Sequence, residues 1–416
     1  MKLKELGPGL ITGAADDDPS GIATYSQAGA QFGFNMLWTV VFTFPLMAGI
    51  QMISARLGCL TGRGLAANIK IQFSQPLLYS IVGFLLLANT INIAADIAAM
   101  SEALRLLVGG SAHVYSVTFG LLCLVLQVFL RYETYVRYLK WLTLGLLAYV
   151  AVVFTIHVPW LTVAERVVWP HLTLNNDTIT MIVAVFGTTI SPYLFFWQAG
   201  QEVEDLRALE KKNGNAILLP YPMEVARRHL RRIKWDTYIG MGFSNLIAFF
   251  IILSTAATLN MAGVTNIQTS AQAAQALRPL AGEFAFLLFG VGIIGTGMLA
   301  VPVLAGSAAY AVAEIFGWRE GLDLTPQKGQ GFYGIIAMAT LGGVFLDFTP
   351  MDPMKELFWS AVINGVIAVP IMVVMMLLAS QERIMGQFVI RARLRHLGWL
   401  ATATMAGAVA AMFVTM

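Results

Sequence analysis

Charged side chains are scarce in this sequence, 12% of 416 residues, where an average soluble domain carries about 25%. With 57% of the chain hydrophobic, that shortage excludes a water-soluble globular fold. Cysteine is nearly missing. Cys59 and Cys123 stand in apolar surroundings, too few for a disulfide framework or a Cys-based zinc site, and read as small buried residues. The five histidines (His113, His157, His171, His229 and His396) fall near loops or span ends with no two at a ligand spacing, so no histidine metal cluster is expected. A net charge of +3 implies no nucleic-acid partner. Met1 to Gly9 is too short for an apolar signal core and is soon followed by Asp16, Asp17 and Asp18, so a cleavable signal is not expected either.

What the sequence has is apolar length. Runs of about 18 or more residues, enough to cross a hydrocarbon core, recur throughout. They place spans at about 8–33, 35–57, 77–107, 114–131 and 138–158, then 178–200, 237–259, 282–315, 330–347, 355–380 and 396–416. This is an all-α integral membrane protein of eleven spans, expected to form one transporter domain over 1–416 with no soluble appendage. Of the 26 basic residues, all but Arg105, Arg166, Arg278 and Lys355 fall on one side of this topology. The positive-inside rule then puts the N-terminus in the cytoplasm and the C-terminus outside. The cluster Arg227, Arg228, Arg231, Arg232 and Lys234 reads as a cytoplasmic face near anionic lipid. A bacterial inner membrane is the expected location.

Two spans are poor sequences for a continuous helix. The first contains G-P-G-L-I-T-G-A-A-D-D-D-P-S-G, Gly7 to Gly21, where Pro19 removes a backbone donor and disfavours helical geometry at Asp18. The sixth repeats the pattern, Gly187-Thr188-Thr189-Ile190-Ser191-Pro192 interrupting an apolar stretch. These breaks open two blocks of five spans, about 8–158 and 178–380, with 396–416 as an extra helix. Corresponding breaks in two halves are the mark of an inverted-repeat transporter whose discontinuous helices meet at the midplane. Freed carbonyls and half-helix C-termini there carry partial negative charge, and Asp18 adds a full one, which makes a cation site. A faint echo, Gln27-Ala28-Gly29 after the first break and Gln198-Ala199-Gly200 after the second, accompanies them.

Gly7-Pro8-Gly9, Ala15, Asp18-Pro19 and Gln27-Ala28-Gly29-Ala30 resemble, without a gap, the first helix of the Nramp metal transporters. Thr188 to Tyr193 is similar to that family's sixth-helix A-x-x-M-P-H, and Ala94 to Ala99 to its third-helix A-x-D-[IL]-A-E. The resemblance implies a LeuT-like fold of 5+5 helices plus an eleventh, with helices 1 and 6 broken and a divalent metal between the breaks. Carried over by position, the ligands would be Asp18, the carbonyl of Ala15 and the side chain or carbonyl of Thr188. The departures are informative: the family's Asn ligand is Gly21 here and its Met ligand is Ser191. Loss of sulfur and of side-chain volume suits a hard, partly hydrated ion. The pattern is most like the Nramp-related magnesium transporters, so the expected cargo is Mg2+, with Mn2+ also accepted. Tyr193 and Gln198 stand where the family has helix 6 histidines, and Ala99 where it has a helix 3 glutamate. Without those relay groups, uncoupled facilitated transport is expected. The alternative is proton-coupled Mn2+ or Fe2+ uptake of the usual Nramp kind.

Other residues carry two readings each. Asp96 either attracts cations or makes a structural hydrogen bond. Asp16 and Asp17 point to other faces than Asp18 and either line a wet vestibule or are solvated. Asn364 either offers an oxygen to the ion or joins helices. Glu202, Glu204 and Asp205 read as a solvated helix end. A protease dyad of Asp18 and Asp96 would need a shared proton, and no second acid follows a Gly-x-Gly pattern, so the chain is not read as an enzyme. A carrier of organic cations and a transporter-derived scaffold are the remaining rivals. No cofactor and no obligate protein partner are expected; the partners are the metal ion and the bilayer.

Overall fold

The computed structural model describes residues 8–130, 145–213, 223–348 and 352–416. Among the described residues the secondary structure is helical, with no strand. The first span is two helices, Pro8–Asp16 (α1) and Pro19–Phe32 (α2). Asp18 between them is extended, with φ −71° and ψ 168°, and Pro19 opens α2 at a position where its missing N–H costs nothing. A turn at Gly33–Met36, entered with Gly33 at φ 58°, leads into Leu37–Thr61 (α3). Then come Leu65–Gln72 (α4), Gln75–Val108 (α5), Ala112–Phe129 (α6), Leu147–Val153 (α7) and Trp160–Val168 (α8). The sixth span is again two pieces, Asn176–Thr189 (α9) and Pro192–Asn213 (α10). Met223–Thr255 (α11), Ala285–Phe316 (α12), Gln330–Leu346 (α13), Pro353–Ala379 (α14) and Ala392–Thr415 (α15) complete it.

Each expected span coincides with at least one helix; the first third of the fifth, 138–144, lies outside the described residues, and the rest contains α7. Eight described stretches are long and apolar enough to cross a membrane, against eleven expected, because α2 and α3 run on as one, the fifth span is described only in part, and α13 at 17 residues falls short of the length required. Two boundaries need correction. The sixth span does not end near 200 but continues to Asn213, and the seventh starts at Met223, not near 237. Both extensions are rich in Glu, Arg, Lys and Leu, strong helix formers. Hydropathy registers only the part of a helix inside the hydrocarbon, so it missed the ends that project beyond it. The short α4 and α8 were not anticipated either.

The broken helices form the centre. The most apolar 18-residue window of the sixth span is wholly buried, so it is enclosed by its neighbours. Glycines allow this enclosure. A Cβ on Gly187 of α9 would meet the backbone of Ala361 and Gly365 on α14, and one on Gly58 of α3 would meet Ala199 of α10. On the other side Gly13 of α1 meets the backbone of Gly240 on α11. Without side chains at these points the helix axes approach closely, and the two breaks are held at the same depth.

Candidate functional site

Asp18 is 2% exposed and caps the start of α2. Its Oδ1 accepts from the Gly21 N–H and from Ser20 Oγ, both at 2.7 Å. Its Oδ2 faces the hydroxyl of Tyr193, the second residue of α10, at 3.4 Å. That same hydroxyl lies 3.1 Å from the carbonyl oxygen of Ala15, near the end of α1. A hydroxyl has one proton to donate, so Tyr193 is shared between two oxygens that sit on either side of the first break.

Thr188 comes from the end of α9. A Cβ on Gly21 would lie 3.1 Å from Thr188 Oγ1 and 3.4 Å from Asp18 Oδ1, so glycine lets the two breaks touch here. Thr188 Oγ1 is buried and has no hydrogen-bond partner among the described residues. Asp18, Ala15, Gly21, Thr188 and Tyr193 are therefore brought together. Ser191 is near them but turned aside: its hydroxyl donates to the carbonyls of Gly187 (2.9 Å) and Thr188 (3.0 Å), closing the last turn of α9.

Asp96 of α5 is fully buried beside Ser20 at the start of α2. Neither of its oxygens is in hydrogen-bonding geometry with a described group. Asn364 of α14 is likewise buried, and among the described residues neither of its side-chain polar atoms has a partner, which disfavours the second of its two readings, a tie between helices. Asn92 escaped the sequence reading. It precedes Asp96 by one helical turn, is fully buried and has both polar atoms unpartnered; its i, i+4 spacing from Asp96 was the available signal.

Two further expectations are corrected. Asp16 and Asp17 are 0% and 2% exposed, neither solvated nor on an open vestibule. Both accept from one hydroxyl, Ser244 Oγ on α11, at 2.6 and 3.0 Å. Glu202 is buried, and Glu204 and Asp205, though partly exposed, are held by partners, so the three are not a freely solvated helix end. Arg232 of α11 binds Glu202 and, at 2.6 Å, Asp205, while Tyr310 of α12 donates to Glu204. Asp236 of α11 was also missed; its Oδ2 accepts from Gly9 N–H at 2.7 Å and caps the start of α1. These partners lie tens to hundreds of positions away and follow from packing alone.

Four buried carboxylates, Asp16, Asp17, Asp18 and Asp96, thus surround the first break, and none forms an ion pair with a described Lys or Arg. The C-terminal ends of α1 and α9 add partial negative charge, while the α2 N-terminus holds the Asp18 carboxylate in place. The field at the break favours a cation. Among the described residues no group of three or more His, Cys, Asp or Glu side chains is placed to hold a metal. An ion here would rest on one carboxylate with carbonyl and hydroxyl oxygens.

The sequence model of the Natural resistance-associated macrophage protein-like family, Nramp, matches residues 9–415. The chain belongs to the Nramp family. Curated relatives of this Nramp chain include divalent metal cation transporters MntH from two strains of Klebsiella pneumoniae, each 25% identical over 411 residues, 97% of this chain and 92% of the relative. Among solved structures, the Eremococcus coleocola manganese transporter in complex with an aromatic bis-isothiourea substituted compound has a TM-score of 0.73 at 16% identity, covering 98% of this chain and 86% of that one. Mhp1, a nucleobase-cation-symport-1 family transporter in a closed conformation with bromovinylhydantoin bound, has a TM-score of 0.59 at 14% identity, covering 99% and 92%. At such identities the likeness is one of fold, and it shows the LeuT-like architecture.

Proposed function

We propose that this Nramp chain carries divalent metal cations across the membrane, Mg2+ by preference with Mn2+ accepted, by alternating access without proton coupling. The observation that carries this reading is the oxygen-only surround at the breaks, in which the Tyr193 hydroxyl bridges Ala15 O and Asp18 Oδ2. Ser191 stands where the resemblance expects a thioether, and it turns its hydroxyl to its own helix. Oxygen ligands without sulfur favour hard cations. Magnesium sheds water reluctantly and is held by one or two carboxylates with waters retained. The relatives named as divalent metal cation and manganese transporters support the ion class. Asp18 is the essential ligand in this reading, with Ala15 and Thr188 beside it, and Asp96, Asn364 and Asn92 along the route.

Tyr193 would then meet the ion's water shell, since its hydroxyl already bridges two of the proposed ligand oxygens. Tyr193→Phe is expected to raise the KM for magnesium by about tenfold, the value of roughly one hydrogen bond, with little loss of maximal rate. An unchanged KM in a radiometric or dye-based uptake assay would remove Tyr193 from the ion's path.

The absence of coupling rests on the neutral groups in the relay positions. Gln198 is bound to Gln51 at 2.6 Å and faces Thr237 at 3.4 Å, and Ala99 is buried. A negative-inside potential would suffice for uptake, giving a divalent ion about 4.6 kcal/mol per 100 mV at roughly 2.3 kcal/mol per charge. In proteoliposomes with internal magnesium and pH dyes, voltage-assisted magnesium entry without acidification is the expected result. The buried pair Asp16 and Asp17 favours the second reading, proton-coupled Mn2+ or Fe2+ uptake, because membrane proton routes use such acids. Manganese entry with acidification and no magnesium flux would establish it.

A further inference from the structure

Away from the breaks, α3, α11 and α15 enclose a cleft lined by Arg56, Arg227, Arg231, Lys234, Arg391 and Arg393. It consists of two hollows, of about 570 and 400 Å³, that share Arg56, Lys234 and Arg391. None of the six basic residues forms an ion pair with a described carboxylate. Arg56 Nε is buried and has no hydrogen-bond partner among the described residues. The cleft also takes in the first turn of the 24-residue α15, Ala392 to Leu394, whose N-cap Arg391 makes no side-chain capping bond. Uncapped N–H groups and the positive end of a helix dipole thus face the same space as the unpaired guanidinium groups, the arrangement that binds phosphate oxyanions.

We infer that this cleft binds an anionic phospholipid, with headgroup phosphate seated between Arg56, Lys234, Arg391 and the start of α15. Its depth in the membrane selects a lipid over a soluble phosphate. On α11 the basic stretch ends at Lys234, and Trp235, Ile239, Phe243 and Leu246 then follow at helical spacing as exposed apolar side chains. On α15 Arg391, Arg393 and Arg395 give way to exposed Trp399 and Leu400. Both helices pass from basic to apolar at the cleft, with tryptophans marking the level of the membrane interface. The walls Met52, Tyr238, Leu397 and Phe388 offer apolar surface to acyl chains below a charged rim. A basic pocket between spanning helices at this depth suits a phospholipid headgroup, and a bound lipid would tie α15 to α3 and α11.

The test is thermal unfolding of the full chain in detergent, titrated with phosphatidylglycerol, a two-phosphate cardiolipin, phosphatidylcholine or inorganic phosphate. A saturable rise in Tm with both anionic lipids is expected, and none with phosphatidylcholine or inorganic phosphate. K234Q/R391Q should require about tenfold more lipid for the same rise, two basic contacts being lost. An equal rise with phosphatidylcholine, an equal titration in the variant, or a rise reproduced by inorganic phosphate would overturn the proposal. Should that variant fail to fold, native mass spectrometry of R393Q decides instead. Fewer retained anionic lipids than in the unaltered chain supports the site, and equal retention overturns it.

Discussion

Asp18→Asn is expected to lower magnesium uptake into proteoliposomes by at least about a hundredfold while leaving the folded protein intact. Two unit charges about 4 Å apart attract by about 4 kcal/mol at an effective dielectric near 20, and a divalent ion doubles that to about 8 kcal/mol. Losing even a third of this, with about 1.4 kcal/mol per tenfold, is roughly a hundredfold loss. The fold should survive because asparagine is as good an N-cap as aspartate. Its amide oxygen can accept from Gly21 N–H and Ser20 Oγ as Oδ1 does now. Uptake should therefore vanish at an unchanged melting temperature. Near wild-type flux would take Asp18 out of the ion's path and leave Asp96 or the Asp16 and Asp17 pair as the charge that matters.

The positions of the two breaks were legible because proline acts through its own backbone. Pro19 and Pro192 each open a helix where the sequence places a break. Gly21 was read as a departure from a ligand asparagine, and the close approach of Thr188 to Asp18 that its missing Cβ allows was not foreseen. Side-chain direction was not legible. Ser191 and Thr188 are three residues apart on one broken helix, yet one hydroxyl closes that helix while the other has no partner of that kind among the described residues. Asp16 and Asp17 were read as vestibule-lining or solvated acids because their common partner, Ser244, lies on a helix more than 220 residues later. Glu202 looked solvated because its Arg232 lies on a helix that hydropathy began too late. A local pattern states what the backbone must do, whereas the partner of a buried polar group is decided by which helices pack together. The family resemblance pointed to the two breaks as the proposed site, and it did not foresee the Tyr193 bridge.

The second large effect is expected from restoring the family's side chains, Gly21→Asn with Ser191→Met. Ser191→Met removes the hydroxyl that now holds the Gly187 and Thr188 carbonyls, which leaves two oxygens at the C-terminal end of α9 open and adds a thioether beside them. Thioether sulfur favours soft metals over hard ones. At Gly21 a Cβ would lie 3.1 Å from Thr188 Oγ1 and 3.3 Å from Tyr25 Cε2, tight but against side chains that can shift. The asparagine is therefore expected to fit after small shifts of Thr188 and Tyr25 and to occupy room that a magnesium ion needs for its retained waters. In competition uptake with magnesium and cadmium, the preference of the double variant should move toward cadmium by about a hundredfold, one tenfold step from added sulfur and one from lost volume. Ser191→Met alone should show only the gain for cadmium, and Gly21→Asn alone only the loss for magnesium. Unchanged selectivity in the double variant, with Asp18 still required, would mean that the ion rests on α1 and α2 and that the end of α9 contributes no ligand.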